Sequence, residues 1–374
     1  MMRSEHVWVL FLFLIVTVIL SVRFLSIDHS ATAEWGYVNA GAINPYYGIS
    51  RPFGYRLLMP VFLNVVGIVP KPGEPWIPVP AAVLMCVLFY AFLRAVGFSR
   101  CESTFAALFL SLSGGMIDIL KDFGINNTDA SAHIFILLAL WAMARRVDAL
   151  FSFSVMLGVF NREWALVLLP AWYLFFYGFR VSGLSILRFL RVSLPSIAVY
   201  WMVRTIYFPH CALGVMGSDL SAIMPPSETT TLFYYWTELQ TIDWSLFTNR
   251  LVSRNFYEFG LIALLPFAVR AFPFLLDGWK RVCIYYVFIC ILQFTVAADI
   301  WRLAFYLFPV LIPVFVLWLR WIGEQLGSRV QVIAGGLTSI LVLKWPESIW
   351  MFFVSLVTCL GVEQYRRYSL KIKI

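Results

Sequence analysis

Long apolar runs separated by short polar breaks repeat from one end of the chain to the other. They fall near 7–26, 77–97, 104–120, 129–145, 149–161, 164–179, 191–208, 255–275, 282–298, 303–321, 329–344 and 347–362. Segments such as AAVLMCVLFYAFL (81–93) and LIALLPFAV (261–269) are apolar on every face. A membrane barrel requires strict alternation over about ten residues per strand, which these runs lack. Apolar runs of roughly 18 residues predict helices that cross a bilayer. The expected fold class is therefore all-α, a polytopic transmembrane helix bundle of about 11–12 spans in one membrane domain. Between the spans lie two sizeable loops, 27–76 and 209–254, and inside the first YRLLMPVFLNVVGIV (55–69) is too short to span and reads as interfacial.

Basic residues orient this bundle. With the N-terminus on the cytoplasmic side, that side collects Arg94 and Arg100, Arg145 and Arg146, and Arg180, Arg188 and Arg191. It also collects Lys280 and Arg281, Arg320 and Arg329, and the tail Arg366, Arg367, Lys371 and Lys373. Every second connection is basic, as the excess of Lys and Arg in cytoplasmic loops requires. Both termini are then cytoplasmic, and the two long loops face outward.

Composition agrees with the pattern. The 374 residues are 61% hydrophobic and 13% charged, against about 25% charged in soluble domains. The net charge of +8 follows from the basic cytoplasmic connections and does not call for nucleic acid. Cys86, Cys101, Cys211, Cys283, Cys290 and Cys359 show no CxxC spacing and mostly lie in apolar runs. They read as small hydrophobes, and with four scattered histidines no metal site is expected from Cys and His. The first apolar run is too long for a signal-peptide core and lacks an A-x-A cleavage pattern, so it reads as an uncleaved span.

The remaining polar residues fall on the outer side. GVFNREWALVLLP (158–170) sets Asn161, Arg162 and Glu163 between apolar stretches, where a chain re-enters the membrane. On a helix Arg162 and Glu163 point about 100° apart and meet different partners. They read either as the solvated cap of a helix hairpin or as groups facing a cavity. In ADIWRLAFYLFP, Asp299 and Arg302 are spaced i, i+3 on one helix face. They suit a salt bridge, or else Arg302 binds phosphate with its planar fork. FGINNTDASAHIF offers Asn127, Thr128 or Asp129 as an N-cap, or as polar groups of a site. The first outer loop combines Asp28, Glu34, Arg51 and Arg56 with Trp35, Tyr37, Tyr46, Tyr47, Phe53 and Tyr55. Such aromatics anchor a loop at headgroup level or stack on a sugar ring.

In layout, the chain resembles the GT-C class of integral-membrane glycosyltransferases, which use polyprenyl-phosphate sugars. The resemblance rests on the first span and acid-bearing outer loop, then YRLLMP, NNTDASAHIFILLALWAMARR, NREWALVLLP and DIWRLAFYLFP. It implies a general base from the first outer loop, Glu34 first and Asp28 second, to activate an acceptor hydroxyl. It also implies arginines on the phosphate leaving group, with Arg302, Arg162 and Arg56 as candidates. Glu163, Asp299, Asn127, Asp129, Tyr37 and Tyr47 complete the expected substrate-binding set. Many members use a divalent metal, but this first loop has no DD or DxD pair. The implied partners are a polyprenyl-phosphate-linked sugar donor, a glycan or lipid acceptor and membrane lipid, in a bacterial inner membrane. Two other functions fit the same layout. A polysaccharide polymerase or ligase would use the loop arginines Arg51, Arg56, Arg250 and Arg254 on diphosphate-linked glycans. A transporter or flippase would place its site near the midplane in repeated halves, and no internal repeat is evident.

Overall fold

The computed structural model describes residues 2–27, 58–68, 75–117, 119–120, 128–203, 264, 271–294, 305–344 and the isolated positions 357, 358, 361 and 364. Among these residues the chain is helical and contains no strand, an all-α bundle as the apolar pattern predicts. Among the described residues four helices are long and apolar enough to cross a membrane: Glu5–Leu25, Pro78–Val96, Gly183–Met202 and Phe308–Leu326. Shorter apolar helices occupy Ala130–Ala144, Asp148–Asn161 and Glu163–Tyr177. The chain divides into two compact units, Met1–Ala107 with Met116–Tyr235, and Leu108–Gly115 with Trp236–Ile374.

In the first unit, α1 (Met2–Leu25) is followed by the short α2 (Leu58–Val66) and then α3 (Pro78–Val96). Next comes α4 (Arg100–Leu112), which begins in this unit. The described part of α2 is nine residues long. Gly97 ends α3 at φ 108°, a left-handed turn that lets its N–H reach the Leu93 carbonyl at 3.1 Å. A side chain there would meet the backbone penalty that glycine escapes. Glu5 ties the start of α1 to the end of α3: its carboxylate accepts from the Tyr90 hydroxyl (2.8 Å), Arg94 Nε (3.0 Å) and Arg100 Nε (2.5 Å). The two helices are thus antiparallel.

Helix α5 (Thr128–Ala144) packs on α3 and on α6 (Asp148–Asn161). It closes with the Val147 N–H on the Ala142 carbonyl and the Arg146 N–H on the Met143 carbonyl. Arg146 takes the left-handed position, φ 59°, that glycine usually fills in this motif. Helix α7 (Leu168–Tyr177) leads to α8 (Gly183–Met202), which lies along α6. The Arg188–Asp148 ion pair (2.7 Å) and the Ser152 hydroxyl on the Val192 carbonyl (2.8 Å) set α6 and α8 parallel and in step.

The sequence places the start of this last span near residue 191, because Arg188 and Arg191 look like loop. The helix instead begins eight residues earlier, at Gly183. Ser182 accepts the Ser185 N–H while Ser185 Oγ accepts the Ser182 N–H, a reciprocal cap. Such a cap satisfies two otherwise orphaned donors, and Asp148 offsets the charge of Arg188.

In the second unit, α9 (Asp277–Phe294) and α11 (Ser328–Lys344) both pack on α10 (Phe308–Leu326). Helix α10 is apolar and buried without a break from Phe308 to Leu319, and it turns polar only towards its end, at Arg320, Glu324 and Gln325. A helix of that kind belongs at the centre of its unit. Its aromatic ladder includes Phe315, whose ring lies 5.6 Å from that of Phe109 and 6.0 Å from that of Trp318. Just before it, the Phe305 ring lies where a Cβ on Gly115 would have to go, so only glycine permits this approach.

Candidate functional site

The stretch 158–170 does not form one helix. Helix α6 stops at Asn161, and Arg162 is extended (φ −162°, ψ 132°). Glu163 then opens a 3-10 turn, Glu163–Val167, that feeds directly into α7. Arg162 and Glu163 are therefore not neighbours on a common helix, as the 100° argument assumes; they flank the point where the backbone reverses. Two close contacts make the reversal tight. The Arg162 N–H reaches the Gly158 carbonyl at 2.6 Å. A Cβ built on Gly158 would stand 2.7 Å from the Ala165 Cβ and 3.4 Å from the Phe135 Cβ. Glycine at 158 is what lets the 3-10 turn fold back on α6.

Asn161 anchors the elbow. Its side chain is fully buried, and its Oδ1 accepts a hydrogen bond from the Ser131 hydroxyl at 2.9 Å. Ser131 lies one turn into α5, so this bond joins the end of α6 to the beginning of α5. His133 is buried two residues further on, and Trp164 is buried just past the elbow. Arg162 and Glu163 are half-buried, placed between this packed layer and the surface. Buried polar groups of this kind are costly unless paired, and the Asn161–Ser131 pair meets that requirement.

The structure thus brings together two of the sequence motifs, NREWALVLLP and NNTDASAHIF. Asp129 is the second residue of α5, two positions before Ser131. It lies in the helix's first turn. Asn127 immediately precedes the helix and lies outside the described residues, as do Asp28, Glu34, Tyr37, Tyr47, Arg56, Asp299 and Arg302. The neighbours of some of these are placed. Helix α2, which begins two residues after Arg56, packs on α6. Phe305, three residues after Arg302, packs on Gly115 in the second unit.

Asn161 and Ser131 are the residues that sequence reasoning left out of the site. Asn161 stands beside two charged residues and reads as one more polar loop position. Only its burial, and a partner thirty residues away, mark it as structural. Gly158 offers a fainter signal, a glycine one turn before a helix end. Among the described residues, no group of three or more His, Cys, Asp or Glu side chains is positioned to hold a metal ion.

No family model matches the chain, and no curated protein sequence does. Solved structures do. The apo crystal structure of the Archaeoglobus fulgidus oligosaccharyltransferase aligns with 93% of this chain at a TM-score of 0.55 and 14% identity. A second structure of that enzyme, with zinc and sulfate, aligns over 92% at a TM-score of 0.49 and 14% identity. The chain spans a little over half the length of that enzyme, 56% of it in the first comparison. Over the aligned residues its helical fold is similar to that of the Archaeoglobus fulgidus enzyme.

Proposed function

We propose that this protein is a membrane glycosyltransferase that moves a sugar from a polyprenyl-phosphate donor to a glycan or lipid acceptor on the extracytoplasmic face. The observation that carries the reading is the shared fold over 93% of the chain with an enzyme of glycan transfer. The elbow at Arg162 and Glu163 supports it. It is a charged, tightly built reversal at the end of the bundle opposite the basic connections. Its polar residues belong to two motifs, 30 positions apart along the chain at Ser131 and Asn161.

In this reading Glu34 is the general base toward the acceptor hydroxyl, with Asp28 second. Arg162 and Arg56 hold the phosphate of the donor and stabilise the charge that develops as it leaves, and Arg302 is assigned the same role. Asp299, Asn127, Asp129, Glu163, Tyr37 and Tyr47 contact substrate. A divalent metal is compatible with the acidic residues assigned here.

The test uses the full chain in proteoliposomes with radiolabelled polyprenyl-phosphate sugar and a mixed acceptor pool. Transfer of label to acceptor is expected, with loss in Glu34→Gln, Arg162→Ala and Arg302→Ala variants that remain expressed and folded. Label that merely crosses the bilayer would make the protein a transporter. Ladders of product would make it a polymerase.

A further inference from the structure

We propose that the arginine-rich end of the first unit is a binding site for the anionic headgroups of membrane phospholipids. The proposal is independent of the catalytic reading and concerns the opposite end of the helices. Residues 128–203 contain Arg145, Arg146, Arg162, Arg180, Arg188 and Arg191 against Asp129, Asp148 and Glu163. Asp129 starts α5 and Glu163 follows α6, so both belong to the far end. At the near end Asp148 is taken by Arg188. Arg145, Arg146, Arg180 and Arg191 are exposed, and none forms an ion pair with a described residue.

Arg145, Arg146 and Arg180 come from two connections that tertiary packing clamps together, and Arg191 lies in the third turn of α8 that follows the second of them. Arg188 donates from Nε to Asp148 (2.7 Å) and from Nη1 to the Tyr177 hydroxyl (3.3 Å). Its guanidinium carbon lies 5.3 Å from the Trp172 ring centre and 5.0 Å from that of Phe176. This pin holds the first turn of α6 beside the second turn of α8. The Tyr173 hydroxyl, donating to the Arg180 carbonyl at 2.7 Å, fixes the α7–α8 connection beside them. Arg146 moreover occupies the left-handed position where glycine is the easier choice, so its charge is kept against a backbone preference.

Beside the arginines, Phe179, Val181, Leu184 and Leu187 are exposed by 88, 74, 82 and 66%. Exposed cations and exposed apolar side chains interleaved along the α7–α8 connection and the first turns of α8 match the two parts of a phospholipid, a phosphate and the start of its acyl chains. A free phosphate ion would have no use for the apolar rim. Basic connections on one side of a span attract anionic lipid in the same way.

The experiment measures phosphatidylglycerol retained by the detergent-purified full chain, against phosphatidylcholine, together with labelling by a photoactivatable phosphatidylglycerol. Wild type is expected to prefer phosphatidylglycerol, with label mapping to peptides within 145–191. Each arginine removed is expected to weaken binding about fivefold, and Arg145→Gln with Arg146→Gln roughly twenty-five-fold. Arg146→Gly is decisive, since it relieves the left-handed backbone: it is expected to fold at least as stably while binding less lipid. Lysine at the four positions should preserve the preference, and Arg366→Gln with Arg367→Gln in the tail should not disturb it. Equal loss in the tail variant, no preference in wild type, or label confined elsewhere overturns the site. So does displacement of the lipid by inorganic phosphate at matched concentration, which would make a free anion the ligand.

Discussion

Replacing Gly158 by alanine puts the elbow to a quantitative test. In an ordinary helix interior this change stabilises by about 0.5–1 kcal/mol, because alanine loses less backbone entropy. Here the new methyl would stand 2.7 Å from the Ala165 Cβ, whereas carbon atoms settle at about 3.5–4.0 Å. The 3-10 turn must move away by roughly 1 Å, and overpacking of that kind costs about 1–3 kcal/mol. The overpacking term is the larger, so the net effect is a loss of about 1–2 kcal/mol. A 1 Å displacement of Arg162 and Glu163 would also lower transferase activity by about a hundredfold if they hold substrate. The assay is a double-mutant cycle on unfolding in mixed micelles, with Gly158→Ala, Ala165→Gly and the pair. Removing the Ala165 methyl should restore much of what Gly158→Ala loses, a coupling of about 1 kcal/mol or more. A stabilised single variant with no coupling to position 165 would refute the close approach and the elbow built on it.

Other perturbations follow from individual bonds. Asn161→Leu leaves the buried Ser131 hydroxyl without its acceptor, and should destabilise by about 1–3 kcal/mol; an unchanged loss in a Ser131→Ala background would show that the pair does not interact. Glu5→Gln neutralises the carboxylate that gathers Tyr90, Arg94 and Arg100. Because these side chains keep about a third of their exposure, the expected cost is only about 1 kcal/mol. Thermal unfolding should register it, and cysteine crosslinks between α1 and α3 should form less efficiently; unaltered crosslinking would mean that apolar packing alone holds α1.

Much of the fold was readable along the chain. Apolar runs mark α3, α5 and α6 to within one residue and α1 and α10 to within five, because a helix in lipid must satisfy its backbone within itself. That condition is local, so a local pattern records it. The start of α8 was not readable from charge, since Arg188 enters a helix through a partner forty residues away, Asp148. Its serine cap at Ser182 and Ser185 lies in plain view, but in a form less distinctive than a cap closed by glutamate.

The candidate site divides in the same manner. Sequence alone identified the membrane bundle and the polar interruptions within it, because the cost of charge in hydrocarbon makes each interruption conspicuous. It also singled out Arg162 and Glu163. Tertiary structure decided that Asn161 is buried against Ser131, that Gly158 admits Ala165, and that two arginine-bearing connections meet around Asp148 and Arg188. Hydropathy is a property of each segment by itself. Which polar groups meet depends on how separate helices pack, and that pairing leaves no periodic trace in the chain.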